Sequence, residues 1–191
     1  TVEKLNMLKN NIQIVWYKKD LRITDHRPIF EASLNLIPTL PIYIVEIDYW
    51  KQPFSSKRHW SFIYDSLIEL RKDLKTTGQT LIVRVGSVKT IFEELSLQYN
   101  IKYIFSHEET GNNWTYHRDK TIKNWCFQNN IVLTEFPSNG IVRRLKSRSE
   151  WSKIRNLRMK ENLISTPTNL VPLLNIEQGK IPSKNDTIFI N

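Results

Sequence analysis

The chain has 191 residues, of which 40% are hydrophobic and six are tryptophan, so it has enough apolar material for one domain with a sizeable core. It has no apolar run near the roughly 18 residues that span a bilayer, and its first residues are polar, so we expect neither a membrane span nor a secretory signal. A single cysteine, Cys126, excludes an internal disulfide and a cysteine-only metal cluster within one chain, and we therefore expect a cytoplasmic location.

The net charge of +9 is unevenly distributed along the chain. Residues 141–160 hold eight basic residues and one acidic residue, which accounts for +7 of the total. A basic stretch of this kind favours an anionic partner, such as nucleic acid or an acidic protein face. It is equally typical of a solvated helix face built from long lysine and arginine side chains. Both interpretations stay open at this point.

Apolar, β-branched runs alternate with helical patterns from the N-terminus to about residue 136. The predicted strands are 12–17, 40–47, 80–85, 101–106 and 131–136. Gly78 is predicted to follow the end of one intervening helix, and Ser87 to cap the next. Because strand–helix alternation implies right-handed crossovers, we predict a parallel sheet covered by helices on both faces. The expected fold is a Rossmann-like, doubly wound, three-layer α/β/α domain with five strands in the order 3-2-1-4-5.

The first strand leads into a charged turn, Lys18-Lys19-Asp20-Leu21-Arg22, that contains no glycine. A turn that wraps a pyrophosphate needs glycines to let backbone N–H groups approach it, so a dinucleotide held in the usual way is excluded. Asp20 and Arg22 are expected to pair with each other or brace the turn, unless they contact a ligand. Asp25 is the predicted N-cap of the next helix, with Pro28 in its first turn and His26 solvated.

Ligands of open parallel sheets bind beyond the carboxyl ends of the strands, where the strand order reverses. In the predicted order, this position brings together residues 18–22, 46–50 and 106–113. They supply carboxylates, a histidine, cations and aromatic rings around one cleft. Such a cleft suits a planar organic ligand with polar edges, because carboxylates accept ring N–H groups and Tyr49 or Trp50 can stack on the ring.

Several of these side chains also have a purely structural interpretation. Glu108 and Glu109 would favour the N-terminus of the following helix, and a lone His107 at a strand end is typical of a hydrogen-bonded support. Cys126 lies on an apolar helical face, which indicates an inert core thiol. The sequence contains no phosphate loop, no G-x-G-x-x-G and no nucleophile elbow, and no complete catalytic site is recognisable.

The pattern changes after residue 137. Residues 149–161 are predicted to form one more amphipathic helix, with Trp151, Ile154 and either Leu157 or Arg158 facing inward. From residue 164 the composition is that of a linker, rich in Pro, Ser, Thr and Asn with little periodicity. The predicted organisation is a polar extension over 1–11, an α/β domain over 12–162, and an interdomain linker or tail over 163–191.

Three segments carry a resemblance to a known family. Residues 15–26, Val-Trp-Tyr-Lys-Lys-Asp-Leu-Arg-Ile-Thr-Asp-His, resemble the opening motif of the DNA photolyase and cryptochrome family, W-[FY]-[RK]-x-D-L-R-[LIV]-x-D-[NH] after an apolar strand. Residues 107–119 and 139–148 resemble two later segments of one photolyase subgroup, in the same order. The resemblance extends from about Ile12 to Lys160.

The resemblance implies a division of labour between two domains. In this family an N-terminal α/β domain can hold a light-harvesting antenna, a folate or a deazaflavin, and a helical C-terminal domain holds FAD. The implied complete protein repairs cyclobutane pyrimidine dimers in DNA by light-driven electron transfer from reduced flavin. The chain would be its antenna-type domain, which lacks the FAD domain and is not itself catalytic. A cryptochrome-type blue-light photoreceptor domain and a stand-alone nucleotide- or DNA-binding module are the alternatives.

The resemblance also implies partners and contacts. The expected partners are the FAD-binding helical domain of the same protein and, through the complete protein, damaged DNA, with a dimer through an exposed interdomain face as a further expectation. No metal ligands are predicted. An exposed apolar patch is expected near Trp50, Phe54 or Trp151. By position, the implied antenna or interdomain contacts are Lys18, Asp20, Arg22, Asp48, His107, Glu108, Glu109 and Asn112.

Overall fold

The structure is a computed structural model that describes residues 9–138, 140–143 and 145–186. Residues 1–8 of the predicted extension, Asn139 and Arg144 of the third motif, and residues 187–191 lie outside the described residues. The sheet has five strands in the order β3-β2-β1-β4-β5, and all neighbouring strands are parallel. The strands are β1 Asn11–Tyr17, β2 Thr39–Val45, β3 Ile82–Val85, β4 Asn100–His107 and β5 Val132–Phe136. The predicted fold class and strand order are confirmed.

The connecting helices cover both faces of the sheet. They are α1 Arg27–Ser33, α2 Ile47–Trp50, α3 Lys57–Lys75, α4 Val88–Gln98, α5 Asn113–Gln128 and α6 Trp151–Met159, the last preceded by a short 3-10 turn, Arg148–Glu150. The central strand β1 alternates between two cores because successive side chains point to opposite faces. Trp16 packs with Phe92 of α4 on one face, whereas Tyr17 joins Ile29 of α1 on the other.

Capping residues fix where the longer helices begin. Ser87 caps α4, as predicted, and its hydroxyl accepts from the Thr90 N–H. The predicted cap of α1 was wrong: His26, not Asp25, is the N-cap, and its Nδ1 accepts from the Ile29 N–H. Asp25 has a left-handed backbone, with φ of 49°, and its carboxylate instead accepts from the backbone N–H of Ile164.

Helix α6 lies on the surface and has no buried residue. The prediction that Trp151 faces inward was wrong, since it is 41% exposed, whereas Ile154 and Arg158 are half-buried and Leu157 is 61% exposed. Trp151 instead packs sideways, and its indole N–H donates to the Gly140 carbonyl oxygen at 3.0 Å. Of the three residues named for the expected apolar patch, Trp50 is only 7% exposed, whereas Phe54 and Trp151 are 39% and 41% exposed. None of the helices in the described ranges has the length and apolar character that crossing a bilayer requires.

Residues 164–186, which we call the strap, pass the β2–β3 edge of the sheet, where backbone hydrogen bonds join them to both strands. The Thr39 N–H donates to the Val171 carbonyl oxygen at 2.9 Å, and the Val83 N–H donates to that of Gln178 at 2.8 Å. Leu170 is buried in the core beside the sheet. Residues 164–186 contain no helix, and they cover part of the open edge of β3, which would otherwise expose unpaired backbone groups. The interdomain role of residues 163–191 stays a prediction.

Candidate functional site

A cleft of about 570 Å³, the central cleft, lies where β1 and β2 end. One wall is aromatic, because the last residues of both strands and the first turns of α2 and α3 converge there. The aromatic rings that line it are Trp16, Tyr17, Tyr43, Tyr49, Trp50 and Phe62. The predicted meeting of the segments after strands 1, 2 and 4 is confirmed at this cleft, which residues from all three segments line.

The aromatic wall is held by ring-to-ring packing. Tyr49 lies with its centroid 5.3–5.4 Å from those of Trp50, Phe54 and Trp114. Trp50 in turn meets the fully buried Trp60 edge-on, with centroids 5.2 Å apart. Edge-to-face pairs of this kind stabilise one arrangement of the rings. The wall is therefore preformed.

An ion pair lies in the polar part of the cleft. Arg118 of α5 donates to Glu46 at 2.7 Å, and its guanidinium lies 5.1 Å from the centre of the Trp16 ring. Burial raises the pKa of Glu46 against the attraction of Arg118. Burial would lower the pKa of Arg118, but the charges of Glu46 and Asp119 outweigh it and raise this pKa. The pair thus presents a fixed donor and a fixed acceptor beside the aromatic wall.

Lys18 lines the central cleft, but its charge is neutralised inside the protein. Its ammonium lies 3.0 Å from the Asp119 carboxylate and donates to the His107 carbonyl oxygen at the same distance. It also lies 4.3 Å from the centre of the Trp16 ring. Lys18 therefore ties the end of β1 to β4 and α5.

Asp20, His26 and His107 form a buried cluster that we call the Asp20 brace. Asp20 Oδ2 lies 2.6 Å from both His26 Nε2 and His107 Nδ1, and Oδ1 accepts from the Lys18 N–H. Burial by itself would raise the pKa of Asp20, but hydrogen bonds from His107 and His26 outweigh it and hold this pKa well below its usual range. Burial lowers the pKa of His26, against the pull of Asp20. The brace therefore consists of a carboxylate with a neutral His26.

Two expectations for this turn are corrected by the brace. His26 is buried rather than solvated, and the Asp20 carboxylate bonds to the two histidines rather than to Arg22. The Arg22 guanidinium donates instead to the carbonyl oxygens of Thr24 and Asp25. The alternatives that Asp20 braces the turn and that His107 is a hydrogen-bonded support are confirmed.

The ligand-type atoms of the brace lie within 4.8 Å of one another, an arrangement that could hold a metal ion. The tautomer of His26 argues against it. Since Nδ1 accepts from the Ile29 N–H, the ring proton sits on Nε2, the atom that would have to bind the metal. If the proton moved to Nδ1, the Nδ1–H of His26 would face the N–H of Ile29, and neither group could accept a hydrogen bond. The geometry instead fits a hydrogen-bonded tie between the β1 turn, α1 and β4.

The eight contacts implied by position do not share one cleft. Lys18 and Glu109 line the central cleft. Glu108, Glu109 and Asn112 line a second cleft of about 780 Å³ beside α5 and β5, which we call the polar cleft. Arg22 and His107 line a third, of about 420 Å³. Asp48 is exposed on α2, and Asp20 is buried in its brace.

Sequence reasoning missed Glu46, Arg118 and Phe62 as individual site residues. Trp114 and Arg118 are one helical turn apart just after the Asn112 cap, so they share the face of α5 that meets the strand ends. Phe62 likewise follows Arg58 by four residues on α3. This spacing was the available signal. Only the fold shows which helix face is turned to the cleft.

The fold and the cleft define a class: a doubly wound α/β domain with a ligand-type cleft at the carboxyl ends of its central strands. A family model described as DNA photolyase matches residues 13–155. The chain belongs to the DNA photolyase family, as the three motifs predicted.

Curated relatives include both branches of the family. The blue-light photoreceptor PHR2 of Arabidopsis thaliana is 30% identical over 107 residues, which are 51% of this chain and 23% of the relative. The deoxyribodipyrimidine photo-lyase of Buchnera aphidicola is 24% identical over 152 residues, 75% of this chain and 31% of that protein. The chain thus spans less than a third of these two relatives.

Solved structures confirm the fold as the α/β domain of this family. A class III photolyase from Agrobacterium tumefaciens has a TM-score of 0.72 at 19% identity, over 94% of this chain and 40% of that one. A cryptochrome from Synechocystis has a TM-score of 0.75 at 17% identity, over 91% and 40%. The relatives do not favour the cryptochrome alternative over the photolyase interpretation.

Proposed function

We propose that this chain is the antenna-carrying domain of a light-dependent flavoprotein and that the central cleft holds a planar chromophore, a folate or a deazaflavin. The observation that carries the proposal is the preformed aromatic wall at the carboxyl ends of β1 and β2. In the complete protein, a helical domain would hold FAD and repair pyrimidine dimers in DNA, in the cytoplasm. The chain alone would bind the antenna and perform no repair.

The inner part of the cleft suits a neutral, flat ring with polar edges. The inner cations Lys18 and Arg118 are already paired with Asp119 and Glu46. A ring that stacks on Tyr49 or Phe62 could then exchange hydrogen bonds with the Glu46–Arg118 pair without leaving a charge unpaired. Phe62 is 72% exposed, so a ligand that covered it would bury apolar surface that the domain leaves in water.

The polar cleft is the second candidate position for the antenna. Its wall includes Glu108, whose Oε2 is buried and has no hydrogen-bond partner among the described residues. A buried carboxylate oxygen without a donor is costly, and a ring N–H of a ligand would satisfy it. Glu109 lines both clefts, so the two candidates adjoin each other.

A fluorescence titration distinguishes the two positions. The purified chain is titrated with 5,10-methenyltetrahydrofolate and with 8-hydroxy-5-deazaflavin. In the central cleft, Tyr49→Ala is expected to weaken binding by about tenfold through lost stacking, whereas Glu108→Gln has little effect. If the chromophore binds in the polar cleft instead, Glu108→Gln should weaken binding and Tyr49→Ala should have little effect. Phe127→Ala, on an 85% exposed ring at the far end of α5, is the matched control. Binding of neither chromophore would reject the proposal.

The stand-alone nucleic-acid module makes a different prediction. Its basic stretch, residues 141–160, would bind DNA with an affinity that falls steeply with salt, because phosphate contacts release counterions. The antenna proposal expects binding of the chromophore without DNA. Tight, salt-dependent DNA binding without any chromophore binding would favour the module instead.

A further inference from the structure

The mouth of the central cleft carries cations that differ from those inside it. Arg58, in the first turn of α3, is exposed and lines the cleft, as does Lys19, whose side chain is 56% exposed. The inner cations Lys18 and Arg118 are largely buried and paired. The outer cations therefore remain accessible to a ligand, whereas the inner ones serve the fold.

The carboxylates near the mouth do not neutralise these outer cations. Lys19 lies 3.0 Å from Glu109, but the other oxygen of the same carboxylate lies 3.5 Å from Arg118. Within the described part of the chain, the Arg58 guanidinium has neither a hydrogen bond nor an ion pair. Glu109 is thus shared between two cations, and Arg58 adds an unbalanced positive charge.

Helix stability does not explain the position of Arg58. The first turn of α3 is Lys57-Arg58-His59 and contains no acidic residue. Cations are unfavourable near a helix N-terminus, where the helix dipole is positive. These cations are therefore unfavourable for the helix itself, and they lie beside the aromatic wall of the cleft.

We propose that Arg58 and Lys19 bind an anionic tail of the ligand, so that the ligand enters the central cleft ring first. The inference rests on the proposed function of the cleft, and it narrows the ligand to a planar heterocycle that carries a phosphate or carboxylate tail. The ring then contacts the aromatic wall, and the tail stays at the solvent edge. Arg58 and Lys19 act as specificity residues that discriminate between ligands with the same ring.

Two flavins that differ by one phosphate test this selectivity. The purified chain is titrated with FMN and with riboflavin at low and high salt, with flavin fluorescence as the readout. At low salt, FMN is expected to bind about fivefold to tenfold more tightly, since two partly solvated cations meet one phosphate. The preference should shrink at high salt, because exposed charges are screened.

A matched pair of variants locates the effect. The double variant Lys19→Gln with Arg58→Gln should lose the preference for FMN while its affinity for riboflavin is retained. Lys57→Gln removes a charge from the same helical turn at a residue that does not line the cleft, and it should keep most of the preference.

The possible failures are distinguishable. Equal affinity of the wild-type chain for both flavins would overturn the tail inference and leave the aromatic cleft as a ligand site. A preference that persists in the double variant would also overturn it, because another group would then hold the phosphate. If neither flavin bound, the tail inference would be overturned, and so would the proposal that the cleft holds a flavin-type ring.

Discussion

The Asp20 brace and helix α6 are both rich in ionisable side chains, yet the fold uses them in opposite ways. All three brace residues are buried, and both histidines are hydrogen-bonded to Asp20. Helix α6 has no buried residue, and Lys153 and Arg155 on it are exposed, although Arg158 donates to the Ile141 carbonyl oxygen. A buried charge is costly unless it is paired, so replacing a brace residue should destabilise the fold. Replacing an exposed lysine of α6 should change stability little. The position and the partners of a charged side chain, rather than its residue type, determine how much it contributes to stability.

The largest expected effect is in the brace. Asp20→Ala removes the acceptor of two imidazole N–H groups and leaves them buried without a partner, which should lower the free energy of unfolding by about 3 kcal/mol. Asp48→Ala removes an exposed carboxylate and should change it by less than about 0.5 kcal/mol. Urea unfolding of both variants measures the difference. If the two variants were equally stable, the contrast between buried and exposed charge would fail.

The strap provides an intermediate case, because it is held by backbone groups. Gly179 has φ of +73°, and a Cβ added there would collide with the Val83 carbonyl oxygen. Gly179→Ala should therefore be less stable by more than about 1 kcal/mol and should lose hydrogen-exchange protection at the Val83 N–H.

Gly86→Ala is the control for the strap. Gly86 also has a positive φ, of +148°, but its Cβ would meet only the Ile91 side chain, at 3.4 Å and beyond. It should weaken the β3–α4 turn without releasing the strap. Unchanged protection of Val83 in Gly179→Ala would show that the strap does not cover the edge of β3.

A smaller effect is expected from the pH dependence of the brace. The folded-state pKa of His26 is lowered from 6.5, so its stabilising contribution is present above that value and is lost as the pH falls towards the folded-state pKa. The contribution of Asp20, whose pKa is also lowered, is lost only at more acidic pH, below 3.8.

The variant His26→Gln isolates the first of these two steps. It keeps an N–H donor for Asp20 but does not titrate, so between pH 7 and pH 5 the wild type should lose more stability than the variant. Urea unfolding at several pH values measures both slopes. Parallel slopes would mean that His26 keeps the same pKa in the folded and unfolded states.

The smallest effect is expected on α6. Lys153 and Lys160 are exposed, and replacing both with Gln should change the free energy of unfolding by less than about 0.5 kcal/mol. Thermal unfolding is a sufficient measurement. A loss near that of Asp20→Ala would show that α6 is held by its charges and would remove the distinction on which the comparison rests.

The fold was predictable from the sequence because apolar strand runs alternate with helical patterns, and both are local signals. The apolar run of β1 is the clearest of them. The site was predicted only at the level of segments. Asp20 and His107 were recognised as polar groups at strand ends, but their mutual hydrogen bonds depend on the neighbouring positions of β1 and β4. Arg118 was missed because only the packing of α5 decides which of its faces meets the cleft.

The most direct test of the antenna proposal is a spectrum of the six tryptophan indole N–H groups with and without bound chromophore. Trp16 and Trp50 line the central cleft, whereas Trp125 is buried in the core and does not line the cleft, and Trp151 lies on α6. With ¹⁵N-labelled chain, the proposal predicts that adding the folate or the deazaflavin shifts the signals of Trp16 and Trp50 most. Unchanged signals for this pair, or a largest shift at Trp151, would contradict a chromophore in the central cleft.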